Sequence, residues 1–114
     1  MSAYRRAIER AKARLEVNPR DAGILAFTAD YYAMLGQGKE AREQLAQALE
    51  LTSTDADVLF RAAILHNHFG DKEKTIEYLD KAVAAGFSPT VIRDTPDFDH
   101  LRDEPRYRRL LPSN

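Results

Sequence analysis

Between residues 54 and 84 the apolar positions trace a helical face twice. Leu59, Ala62, Ala63 and His66 stand at i, i+3, i+4 and i+7, and Ile76, Leu79, Ala82 and Val83 form a second stripe of the same kind. Thr54-Asp55-Ala56-Asp57 offers a capping-box-like start for the first stripe, and Asp71 caps a helix that begins near Lys72. Gly70 stands where the first helix must stop, in the left-handed backbone that glycine adopts cheaply. The pattern predicts two helices joined by a glycine turn.

The same pattern occurs earlier at a constant offset. Leu35-Gly36 matches Phe69-Gly70, Leu25 matches Leu59, Ala29 matches Ala63, Leu45 matches Leu79 and Ala48 matches Ala82. Every pair is 34 residues apart, and Ala41 is matched by the small Thr75. A fixed period of this size predicts a repeated unit of two helices, with small residues where axes approach and leucines between them.

The stretch Leu35 to Ala41, LGQGKEA, superficially suggests a phosphate-binding loop. That loop needs G-x-x-x-x-G-K-[ST] after a strand. Ala33 stands where its first glycine belongs, Glu40 where its hydroxyl belongs, and the preceding residues read as helix. The glycines are helix punctuation.

These residues resemble the tetratricopeptide repeat family over roughly residues 3 to 87. That family places small residues at the eighth, twentieth and twenty-seventh positions of a 34-residue unit. Here these are Ala29, Ala41 and Ala48, then Ala63, Thr75 and Ala82. The resemblance implies an all-α, TPR-like solenoid of antiparallel helix pairs. It divides a single domain, 1–114, into a half repeat at 3–19, repeats at 22–55 and 56–88, and a cap at 89–111. It departs from the family where Ser53 replaces the closing proline, and where His66 stands in place of an aromatic. The segment after Gly86 is similar to the end of repeat arrays in multidomain bacterial proteins. Its Ser88-Pro89, Thr95-Pro96 and Glu104-Pro105 predict short helices with proline at the first position, ending around Tyr107, Leu110 and Leu111. Such a segment caps the open end of the array, over Leu79.

Two surfaces are candidates for function. The resemblance implies a concave face at the second, fifth, ninth and twelfth positions: Gly23, Ala26, Asp30 and Ala33, then Asp57, Phe60, Ile64 and Asn67. Helical spacing also sets Asp57, Phe60, Ile64 and Asn67 together, opposite the core stripe. Phe60 and Ile64 read either as an anchor for a partner peptide or as a seat for the closing segment. The absence of inner-face lysines argues against a carboxylate clamp there, and Asp30 favours a neutral or basic ligand. The second surface is the orphan helix, whose stripe Tyr4, Ile8, Ala11 and Leu15 lacks a partner helix. The chain is cut from a longer one, or that stripe meets a second copy in a homodimer, or it packs on the first complete unit; the first two are favoured.

Composition narrows the rest. The chain has 114 residues, 44% hydrophobic and 31% charged, with net charge -1. A chain of this length buries roughly two-thirds of its unfolded surface, enough for one core. Lacking cysteine, it has no disulfide or thiolate chemistry, and a cytoplasmic location is expected. No membrane span and no signal segment are expected. The first twenty residues are locally basic, with Arg5, Arg6, Arg10, Lys12, Arg14 and Arg20 against Glu9 and Glu16. With no aromatic interleaved between Arg5 and Arg20, nucleic acid is not expected as a partner. His66 and His68 point to different sides of a helix, and the Asp94–Glu104 carboxylates lack the spacing of a calcium loop. No metal, cofactor or catalysis is expected. The reading is a scaffold that binds a protein or peptide through Asp30, Asp57, Phe60, Ile64 and Asn67, as part of a larger protein. Its alternative is homo-oligomerisation through the first helix.

Overall fold

The computed structural model describes residues 3–112, the Tyr4 side chain excepted. Every element among them is helical: α1 (Ala3–Val17), α2 (Ala22–Met34), α3 (Gly38–Leu51), α4 (Ala56–His68), α5 (Lys72–Ala84), α6 (Pro89–Arg93), a 3₁₀ helix (Pro96–Leu101) and α7 (Pro105–Leu110). The contacts divide the chain into two compact units, Met1–Ser53 and Thr54–Asn114.

The 34-residue period is written into the backbone. Gly36 and Gly70 have φ of 76° and 79°. The Gly36 N–H donates to Ala33 O and the Gln37 N–H to Tyr32 O, while Gly70 donates to Asn67 O and Asp71 to His66 O, each at 2.9–3.0 Å. This is the paired 5→2 and 6→1 ending that satisfies orphan carbonyls at a helix C-terminus. Gly86 repeats it after α5, with Phe87 as the residue beyond. The starts match as well. Asp21 Oδ1 accepts from the Ile24 N–H at 3.0 Å, and 34 residues on Asp55 Oδ1 accepts from Val58 at 3.1 Å. Asp71 caps α5 through the Lys74 N–H, but its counterpart Gln37 makes no side-chain cap on α3.

In the first unit α2 packs on α3 and on α1. Leu25, Ala29, Ala41, Leu45 and Ala48 are buried, and so are Ile8 and Ala11 of α1. Leu25 and its counterpart Leu59 are 2% and 3% exposed, so equivalent positions have equivalent burial. Thr28 is buried on the same helix, its hydroxyl donating to Ile24 O at 2.7 Å, so burying it leaves no donor stranded.

In the second unit α4 packs on α5, and the closing segment completes the core. Ala63, Ile76 and Leu79 form one cluster with Ile92, Phe98, Leu101 and Tyr107. Leu110 and Leu111 close its edge. Of the three residues before prolines, only Ser88 caps through its side chain, accepting from the Val91 N–H. Thr95 turns back instead and donates to Val91 O at 2.7 Å. Glu104 reaches Lys72 Nζ at 2.8 Å, and Arg106 reaches Glu73 at 2.6 Å, so two exposed ion pairs tie the closing segment to the first turn of α5. The hydrogen bond that Lys72 donates to Glu104, together with the charge of that carboxylate, raises the Lys72 pKa above the usual lysine value. Asp94 and Asp99 pair with Arg93 and Arg102, which accounts for part of the acidic run as surface pairing.

Candidate functional site

The α4 face expected to be open is covered within its own unit. Phe60 stacks flat on Phe87, with ring centroids 4.2 Å apart, and meets Phe98 edge-on at 6.1 Å. Ile64 packs against the same cluster. Asn67 Nδ2 donates to Asp97 O at 3.0 Å. Of the two readings of Phe60 and Ile64, the contacts match the seat for the closing segment, and Asn67 joins it. Asp57 is exposed at the start of α4, where its backbone N–H donates to the Asp55 cap.

The corresponding face of α2 is not an open groove either. Ala26 and Ala33, expected beside Asp30, are 0% and 3% exposed. Asp30 is half-buried and takes part in polar contact. Of the five residues expected to bind a partner, Asp30 falls in the first unit and Asp57, Phe60, Ile64 and Asn67 in the second.

The orphan-helix stripe is also placed differently. Ile8 and Ala11 are buried and Leu15 is half-buried, in a unit where α1 packs on α2. Ile8 and Ala11 are therefore packed within this unit and do not form an exposed seam for a second copy. The Tyr4 side chain lies outside the described residues.

What remains exposed was not singled out in the sequence. Helix α2, AGILAFTADYYAM, is apolar on nearly every side. At 100° per residue its buried positions Leu25, Ala26, Thr28, Ala29, Tyr32 and Ala33 fill an arc of about 160°. Ile24, Phe27, Tyr31 and Met34 fill a separate arc of about 80° on the other side. Phe27 is 41% and Met34 48% exposed, and Ile24 and Tyr31 are half-buried. Ile24 and Tyr31 correspond at the 34-residue offset to Val58 and Leu65, each 1% exposed. Equivalent apolar positions are buried on one hairpin and accessible on the other. The signal in the sequence was the shortage of polar residues in α2.

Beside that stripe runs a groove of about 300 Å³, walled by Arg10 and Arg14 from α1 and by Ile24, Phe27 and Tyr31 from α2. Elsewhere in this unit Lys12 Nζ lies 5.9 Å from the Tyr32 ring centroid. In the second unit His66 stacks parallel to Tyr78 at 5.3 Å, and Lys81 lies over the other partner of that stack, 5.1 Å from the Tyr78 centroid. No three His, Asp or Glu side chains converge as a metal site among the described residues. No helix among them is long and apolar enough to cross a membrane. In comparisons with known proteins, the chain matches no family model and no curated sequence.

Proposed function

We propose that this chain is a tetratricopeptide-type helical repeat protein that works by binding another protein, as one part of a larger multidomain bacterial protein in the cytoplasm. The 34-residue recurrence of caps, glycine turns and buried leucines supports the repeat reading. The observation that carries the binding reading is the accessible stripe Ile24, Phe27, Tyr31 and Met34. A helix apolar on all sides belongs in an interior. Where a contiguous apolar strip stays accessible beside a groove, it marks a surface for another molecule. Large aromatic side chains are the usual anchors of such contacts.

The closing segment gives the second unit its own cover, so the proposed partner surface is on the first unit. The contact is small, which sets affinity on the order of micromolar. Peptides selected by display against the full chain test the reading. Their affinities, measured by fluorescence polarisation, are expected to fall about tenfold or more for Phe27→Ala/Met34→Ala, a loss of about 1.4 kcal/mol. Selected peptides that bind this variant as tightly as the parent chain would remove the stripe from the account.

A further inference from the structure

Resting on the binding reading above, we infer that the groove between α1 and α2 takes an acidic peptide, one that inserts an apolar side chain against Phe27 and Tyr31 and sets a carboxylate on Arg10 and Arg14. The two arginines are one helical turn apart on α1 and both line the groove. Residues at i and i+4 carry their side chains to within about 6 Å of each other at the base. Two guanidinium groups at that spacing present planar forks to one carboxylate or to two neighbouring ones.

Both arginines are exposed, and neither is in an ion pair among the described residues. The surrounding potential has the same sign, since the first twenty residues hold six Arg and Lys against two Glu. Asp30, the acidic residue of α2, lies about 100° round the axis from Tyr31 and does not line the groove. A positive α1 side facing an apolar and aromatic α2 side fits a ligand with both a negative and an apolar group. A basic peptide would meet like charge, which lowers its affinity and so favours the acidic partner. A single nucleic-acid strand would need a basic track for successive phosphates, and the groove offers one pair of arginines.

The test uses the full chain and four fluorescein-labelled probes: a peptide of glutamate pairs separated by single leucines, the same peptide with lysine for glutamate, the same with alanine for leucine, and an oligothymidylate. The glutamate–leucine peptide is expected to bind tightest. It should lose about tenfold or more against Arg10→Gln/Arg14→Gln, and a similar factor against Phe27→Ala. Raising salt to about 0.15 M should weaken it, because rim charges are screened over about 8 Å. Thermal unfolding of each variant checks folding, and the arginine pair, being exposed, tests the idea even where Phe27→Ala is unstable. Three results overturn the inference: equal affinity for the lysine peptide, indifference to the arginine substitutions, or tighter binding of oligothymidylate. If display-selected peptides need Phe27 and Met34 but carry no acidic residues, the inference fails and the binding reading stands. If no selected peptide needs the stripe, both fail.

Discussion

The Phe60 ring lies parallel to Phe87 within 11°, at a centroid distance of 4.2 Å. Phe87 is the residue just beyond the Gly86 turn, so the ending of α5 aims an aromatic back onto α4. Phe98, fully buried, meets the Phe60 ring edge-on. Aromatic pairs of these geometries are favourable beyond simple burial. Phe98→Ala is expected to cost about 3–5 kcal/mol. Phe60→Ala should cost less, about 2 kcal/mol, because part of that ring stays in water. Urea unfolding measures both. A Phe60→Ala transition that overlays the parent would mean the closing segment is not seated there.

Gly36 and Gly70 are open to a direct test of backbone conformation. A Cβ built at either glycine has no neighbour within 4 Å, so an alanine would meet no clash with other residues. Any destabilisation then comes from the positive φ alone. Gly70→Ala is expected to cost about 1–2 kcal/mol, and Gly70→Asn less, since asparagine tolerates this region better. Gly36→Ala should match Gly70→Ala closely, because the two turns share their hydrogen bonds. Equal stability of the alanine and parent chains would mean the turns relax to another ending.

Much of this architecture was legible because local chemistry and periodicity agree. Gly36, Gly70 and Asp71 carry signals that need no tertiary information, and the helices start and end where those signals stand. The burial of Leu25, Leu45, Leu59 and Leu79 follows from spacing. The faces were harder to read. Phe60 and Ile64 look like surface residues when α4 is drawn alone, and only the path of residues 87–111 covers them. Val58 and Leu65 extend the buried arc of α4 beyond the simple stripe. In α2 nearly every position is apolar, so periodicity does not separate the buried arc from the accessible one. The groove beside it needed the packing of α1, which brings Arg10 and Arg14 next to aromatics distant in sequence.

Ile8 distinguishes internal packing from self-association. It is buried at 5% exposure within a unit where α1 packs on α2. Ile8→Ala is therefore expected to destabilise the isolated chain by about 2–4 kcal/mol. The change should not depend on protein concentration, because no second copy is needed to bury the side chain. Chemical unfolding at two concentrations differing by about a hundredfold decides this: a dimer held by this stripe would make the midpoint rise with concentration.

Tyr107 ties the closing segment to pH. It is 2% exposed in the core of the second unit. Burial raises its phenol pKa above the ordinary value of 10.0, nearby Asp99 raises it further, and Arg102 opposes both. The folded state thus holds the phenolic proton more tightly than the unfolded chain does. The stabilisation from that preference is fully present below the unfolded pKa and is lost as pH rises through the folded one. Neutral and acidic conditions should leave this contact intact, and the loss should begin above about pH 10. Other tyrosines and the lysines titrate in the same range, so the parent chain alone does not isolate the effect. The difference between parent and Tyr107→Phe does, since phenylalanine keeps the ring and removes the proton. That difference should be flat from about pH 7 to pH 9 and then shift against the parent as alkalinity increases. Parallel curves across the whole range would show that the Tyr107 hydroxyl titrates as freely in the folded protein as in water.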